Sequence, residues 1–319
     1  MLDAAARYHE AFDAYSACNE SLRHIHRRFA AATSLLAYTR SLTAALEKVA
    51  PAWTPGAAPQ PVAGGAAEHV LLIGFPRSGT TLLEVVLDGH PGVVSLEEHE
   101  LLTEGVLRFM REPLELGPLA RAQESELRAL RAAYWERVRA GGVDVAGKIF
   151  VDKHPLNTLK LPLIAQLFPR AKILFVCRDP RDVVLSCFRR RFRMNPAMYQ
   201  MLTLEGAAQF YEAVMDFAEA ARPLLGLDWH EVRYECLMAD FAGQTRAICE
   251  FLGLEWSTSL HAFASRVQAR ERATPSTAQL ARGLDPSGIG HWQHYRAALE
   301  PLQPLLQRWV ERLGSPAAP

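Results

Sequence analysis

The chain has 319 residues, with 35 Lys or Arg against 35 Asp or Glu, so no bulk charge recruits nucleic acid or an anionic membrane. An apolar share of 49% describes an ordinary globular protein with a real core, in one large or two modest domains. Five cysteines, Cys18, Cys177, Cys187, Cys236 and Cys249, form no C-x-x-C pair, which argues against zinc and against a disulfide framework and leaves buried thiols as the expectation. His24 and His26 lack metal-ligand spacing with any other cluster, so no metal is expected. The start, Met-Leu-Asp-Ala-Ala-Ala-Arg, carries no basic-then-apolar segment, and no run of about 18 apolar residues occurs. A cytoplasmic protein without membrane contact is expected.

Residues 1–50 have helical periodicity, with Tyr8, Ala11, Phe12 and Tyr15 on one stripe and Phe29, Leu35, Leu36, Leu42 and Leu46 following. This predicts a helical extension. Ala11-Phe12, Tyr15 and Cys18-Asn19 resemble the end of a tetratricopeptide-type repeat, but one partial unit is too little for a self-supporting solenoid, and helices packed on the following domain are the plainer expectation. Pro51, Pro55, Gly56, Pro59, Pro61, Gly64 and Gly65 then break the periodicity, marking a linker over 51–67.

From Glu68 to the last residue, 319, strand-length apolar runs alternate with helical patterns, which predicts an α/β domain: a parallel sheet flanked by helices. The predicted strands are His69–Ile73, Gly92–Ser95, Lys148–Val151, Lys172–Cys177 and Glu231–Tyr234. The predicted helices are Thr80–Gly89, Leu101–Arg111, Glu124–Arg139, Leu156–Phe168, Asp182–Arg191, Glu205–Ala221 and Leu237–Leu252, with a closing helix over Trp292–Leu313.

The first strand runs into Gly74-Phe-Pro-Arg-Ser-Gly-Thr-Thr81, which has the G-x-x-x-x-G spacing of a phosphate-binding loop and leads into a helix. Where a nucleotide-hydrolysing loop carries a lysine after its second glycine, this chain has Thr80, and the cation has moved inside the loop, to Arg77. Arg77, Ser78, Gly79, Thr80 and Thr81 are therefore candidates to grip an anion whose terminal group is not an ordinary γ-phosphate. Pro-Arg in a turn and Thr-Thr as a helix cap are the plainer alternative.

The Pro-Arg-Ser-Gly-Thr-Thr string resembles the donor loop of sulfotransferases that use 3′-phosphoadenosine-5′-phosphosulfate (PAPS). Ile173-Leu-Phe-Val-Cys-Arg-Asp-Pro-Arg-Asp-Val-Val-Leu-Ser186 resembles that family's second signature, which implies that Arg178 and Ser186 bind the nucleotide's 3′-phosphate, with one arginine of the run Arg189, Arg190, Arg191 and Arg193 as a further candidate. By itself this string could be a charged helix N-terminus. His90-Pro-Gly-Val-Val-Ser-Leu-Glu-Glu98 looks like the protein-tyrosine and the bacterial tetratricopeptide-associated branches. Glu98, 21 residues after Arg77, takes the place of the branch's catalytic glutamate, with Glu97 or His99 as alternatives. Lys153, in Val151-Asp-Lys-His-Pro155, would stabilise the leaving oxygen; an exposed strand-end lysine is the alternative. By the same resemblance Tyr234, Ser276 and Arg282 would contact the nucleotide.

The resemblance spans residues 68–315. It implies a phosphate-loop-type sulfotransferase fold, PAPS as co-substrate, the 3′,5′-bisphosphate PAP as product and a hydroxyl acceptor: peptide tyrosine, phenol or carbohydrate. A homodimer is left open. A kinase-like phosphotransferase and a non-catalytic nucleotide-binding scaffold are the competing expectations.

Overall fold

Five short strands lie parallel in the order β2-β3-β1-β4-β5, where β1 is Glu68–Gly74, β2 Val93–Glu97, β3 Ile149–Lys153, β4 Lys172–Cys177 and β5 Asp228–Arg233. This computed structural model describes residues 2–30, 34–56, 65–263 and 284–313. Helices α1 (Tyr8–Ile25) and α2 (Leu35–Val49) precede the sheet. Between strands come α3 (Thr80–Leu87), α4 (Thr103–Phe109), α5 (Gly117–Ala120), α6 (Glu124–Ala140), α7 (Leu161–Leu167), α8 (Pro180–Arg189), α9 (Pro196–Gln200) and α10 (Leu204–Ala221). Helices α11 (Tyr234–Ala239), α12 (Phe241–Leu252), α13 (Arg296–Leu299) and α14 (Gln303–Leu313) follow β5. Among the described residues no helix is long and apolar enough to cross a membrane.

Strand periodicity sorts the apolar residues into two cores. Leu71 and Ile73 of β1 join Phe150, Ile173 and Phe175 on the face covered by α6, α7, α8 and α10, while Val70 and Leu72 join Val151, Leu174 and Val176 beneath α3, α11 and α12. Leu42, Leu46 and Val49 of α2 belong to the first core, and Tyr8, Phe12 and Tyr15 of α1 pack against it. Cys177, Cys187 and Cys249 are buried, whereas Cys18 and Cys236 keep partial exposure.

Beyond shifts of one or two residues at element ends, four predicted elements differ from those observed. Leu156–Phe168, expected as one helix, is a 3-10 segment over Pro155–Lys160 followed by α7. β5 starts at Asp228, and Tyr234 is not its last residue but the first of α11. The predicted helix Leu237–Leu252 is two helices, because the Asp240 carboxylate accepts the Gly243 N–H at 2.9 Å and caps α12 instead of continuing α11. The predicted closing helix breaks into 3-10 turns at His291–Tyr295 and Glu300–Leu302 before α14 begins, with Pro301 in the second turn.

Because α2 contributes fully buried residues to the core on which the sheet rests, Leu46→Ala should destabilise the whole unit by about 2–5 kcal/mol. In urea the single unfolding transition should move to lower concentration. An early, separate transition for residues 1–50 would show that α2 folds apart from the sheet.

Candidate active site

β1 lies in the middle of the sheet, and its carboxyl end opens where the chain has helices to both sides, the usual place for a ligand on an open parallel sheet. In the loop from Gly74 into α3, Arg77 stands in the left-handed region at φ 73°, strained for a residue with a Cβ, and Gly79 turns at φ 110°, which glycine adopts freely. A Cβ at Gly79 would meet the Tyr234 ring at 2.6 Å, so glycine is required where the loop crosses that ring. Ser78 and Thr80 are buried and Thr81 half-buried. The first N–H groups of α3 have no partner within the helix and point toward the loop's mouth.

Arg77 Nε donates to Ser186 Oγ at 3.1 Å, which joins the first motif to the second across 109 residues. Arg178 Nη1 donates to the Arg77 carbonyl at 3.4 Å, and its guanidinium lies 4.7 Å from the centre of the Tyr234 ring. Burial, with the neighbouring guanidiniums of Arg190 and Arg178, pulls Arg77 down to about 10. Of the arginine run, Arg190 is the one whose charge bears on Arg77, while Arg189 pairs with Asp3, and Arg191 Nη1 donates to Asn19 Oδ1 at 3.0 Å. Arg190 itself has no carboxylate within ion-pair distance among the described residues. Arg77, Arg178, Arg190 and the Ser186 hydroxyl are thus gathered about one loop, an arrangement that can hold a multiply charged anion. Asp182 lies 3.9 Å from Arg178 and is engaged by the N–H groups of Gly290 at 2.7 Å and Trp292 at 2.9 Å.

A second cluster sits at the ends of β2 and β3, next to β1. Lys153 has no exposed surface, so it is not an exposed strand-end lysine. Its Nζ lies 2.8 Å from Glu97 Oε1, 2.9 Å from Glu98 Oε1 and 3.6 Å from Glu84 Oε2. Burial alone would lower its pKa, but the charges of Glu84, Glu98 and Glu97 outweigh burial and hold it above the ordinary lysine value. Glu98 stands at φ 51°, its side chain 55% exposed, and its N–H donates to the Lys153 carbonyl at 2.7 Å. A left-handed glutamate at a strand end is a strained position of the kind that collects at functional sites. Glu97 is less exposed, and His99 turns its Nδ1 back to the Glu97 carbonyl at 2.8 Å. Glu100 is tied to His154 at 3.2 Å and to Lys160 at 2.7 Å; the His154 hydrogen bond, with the Lys160 charge, holds its carboxyl well below the usual range.

Of the residues singled out in the sequence, Arg77, Ser78, Gly79, Thr80, Thr81, Arg178, Ser186 and Tyr234 meet at one loop, and Glu98 and Lys153 meet beside it. Ser276 and Arg282 lie outside the described residues. Glu84 was missed. The signal was there, a single acid in the otherwise apolar run Leu82-Leu83-Glu84-Val85-Val86.

With this geometry in view, the comparisons decide the family. Residues 69–258 match the profile of the Sulfotransferase family. The chain belongs to that family. Its fold agrees: the sulfotransferase domain of the Synechococcus PCC 7002 olefin synthase superposes with a TM-score of 0.53 at 23% identity, over 81% of this chain and 98% of that one. A protein of Aquifex aeolicus (strain VF5) without an assigned role is 26% identical over 258 residues, 77% of this chain and 33% of its own length. Protein-tyrosine sulfotransferase A of Caenorhabditis elegans is 28% identical over 205 residues, 59% of this chain and 50% of its own. The chain thus spans a third to a half of these relatives.

Asp152, one residue before Lys153, is fully buried. Its Oδ2 accepts from Tyr134 Oη at 2.9 Å and Asn157 Nδ2 at 3.3 Å, while Oδ1 has no hydrogen-bond partner among the described residues. Burial pushes its carboxyl up to about 6. A folded value above the unfolded one means that the native state binds the extra proton, so this group's contribution to stability is lost as pH rises from about 4 to 6. The melting temperature of Asp152→Asn minus that of the native sequence should therefore climb through this window and level off above it, an effect on the order of 2–3 kcal/mol. A pH-independent difference would refute the assignment.

Proposed function

We propose that this chain transfers a sulfuryl group from PAPS to a hydroxyl acceptor. The reading rests on one observation above others: the loop arginine and the serine of the second motif are hydrogen-bonded to each other, with Arg178 and Arg190 beside them. A nucleotide carrying phosphates at both 3′ and 5′ ends needs two adjacent anion sites, and the family membership supports that choice. On this reading the loop N–H groups, Thr80 and Thr81 receive the 5′ side, while Arg178, Ser186 and Arg190 receive the 3′-phosphate, with Tyr234 alongside. Ser276 and Arg282 remain part of the proposed nucleotide contacts.

In the reaction, the bond from the acceptor oxygen to sulfur forms as the bond from sulfur to the 5′-phosphate oxygen breaks, and Glu98 takes the acceptor's proton. Its partial exposure and its left-handed backbone leave the carboxylate at the edge of the cluster, where an acceptor can reach it. Lys153 steadies Glu98 and, kept charged by its carboxylates, offsets charge on the leaving oxygen together with Arg77. No metal enters this scheme, and among the proposed acceptors, peptide tyrosine, phenol or carbohydrate, the protein-tyrosine sulfotransferase relatives favour the first. The unpaired thiols support a cytoplasmic setting.

Transfer of label from ³⁵S-PAPS to a panel of tyrosyl peptides, phenols and sugars tests the reading. Glu98→Gln should retain PAP binding and lower turnover by about 10²- to 10⁴-fold. Should Glu98→Gln turn over normally while Glu97→Gln does not, the base is Glu97. Phosphate transfer from ATP with magnesium, with none from PAPS, would replace the sulfuryl assignment by a phosphotransferase.

A further inference from the structure

The hydroxyl of Thr158 occupies the place of a missing strand. β1 pairs with β4 as far as Gly74, opposite Val176, but with β3 only as far as Leu72, opposite Lys153. β3 ends there, and the chain turns away through the 3-10 segment Pro155–Lys160. The two backbone groups of Gly74 on that side would be buried without partners, a costly state for peptide groups. Thr158, which has no exposed surface, takes both: its Oγ1 accepts the Gly74 N–H at 3.2 Å and donates to the Gly74 carbonyl at 2.9 Å, sharing its one proton with the Pro155 carbonyl at 2.9 Å. Opposite, a Cβ on Gly74 would lie 2.4 Å from the Val176 carbonyl oxygen, so the residue is held on both sides.

We propose that Thr158 is a positioning residue for the phosphate loop. It acts through Gly74, the last residue of β1 and the point from which Phe75, Pro76 and the left-handed Arg77 depart. The same turn leaves from Lys153, so one side chain also links the loop's origin to the strand end that carries the buried ammonium. A loop held in its binding shape before the ligand arrives loses less freedom on binding, and that preorganisation is what Thr158 supplies. The proposal rests on the donor reading above.

Calorimetric titration of PAP, with melting temperatures measured alongside, separates positioning from simple stabilisation. Thr158→Val keeps the shape and removes the hydroxyl; Thr158→Ser keeps the hydroxyl and removes the methyl. At a temperature where both are folded, the valine variant should bind PAP about tenfold more weakly. The serine variant should stay within about threefold of the native protein, since it keeps the hydrogen bonds, even if its melting temperature drops. If the valine variant does not fold, Thr158→Cys, close to serine in shape but a poor hydrogen-bond partner, takes its place with the same expected loss. Native-like PAP affinity in the hydroxyl-free variant overturns this inference and leaves the donor reading standing. A native protein that binds no PAP overturns both.

Discussion

A lysine ammonium with no exposed surface sets the terms for the rest of the site. Removing such a charge from water costs several kcal/mol, and it persists only with opposing charges close at hand. Glu97, the last residue of β2, and Glu98 just after it supply two of these and Glu84 the third from α3, while Lys153 itself ends β3. The Ser95 hydroxyl donates to Glu84 Oε1 at 3.0 Å, so β2 meets the phosphate-loop helix a second time through its own side chain. The charge balance of one side chain thus fixes the mutual positions of two strand ends and the helix on which the loop rests. It also explains why Glu98 can be held in an unfavourable backbone conformation.

The other half of the site is assembled on the opposite electrostatic principle. Arg77, Arg178 and Arg190 repel one another, and burial raises the cost of their charge. Bonds to neutral groups help to hold them: Arg77 to Ser186, and Arg178 to the Arg77 and Gly288 carbonyls and the face of Tyr234, with the Asp182 carboxylate 3.9 Å from Arg178. The surroundings reinforce this. Asp3 at the chain's beginning bonds Arg189 and Tyr295, Tyr8 stacks on His294 at 4.1 Å, and the buried Asn19 donates to the Phe188 carbonyl at 2.9 Å. Helix α1 therefore braces α8, which carries Ser186, and the segment around Gly288 to Tyr295.

Much of this was legible in the sequence because it depends on local pattern. β4 is observed at its predicted bounds, since Ile173–Cys177 is an unbroken apolar run between the charged residues Lys172 and Arg178. The glycine spacing and the position of Arg77 marked the loop before any tertiary contact was known. Other features were hidden because they depend on which elements meet in space. Glu84 looks like an isolated polar residue until β2 and β3 bring Ser95 and Lys153 to it. Thr158 is one threonine among many until β3 stops short of Gly74. The break at Asp240 was hidden for a nearer reason: a capping side chain redirects the backbone at one residue, which a periodicity averaged over a window does not register. The resemblance to the family named Glu98 by its distance from Arg77, but the left-handed backbone that sets it apart from Glu97 is visible only in three dimensions.

On the proposed reading the two halves together take an adenosine nucleotide with phosphate on both ribose ends, one held by the loop and the other by Arg178, Ser186 and Arg190. The most direct measurement is the affinity of the folded protein for PAP against that for adenosine 5′-monophosphate, which lacks only the 3′-phosphate, repeated with Arg178→Ala. The native protein should prefer PAP by about ten- to a hundredfold, the value of a charge-assisted hydrogen bond of roughly 1.5–3 kcal/mol, and the variant should lose most of that preference. Equal affinity for the two nucleotides in the native protein, or a preference for PAP undiminished in the variant, would contradict it.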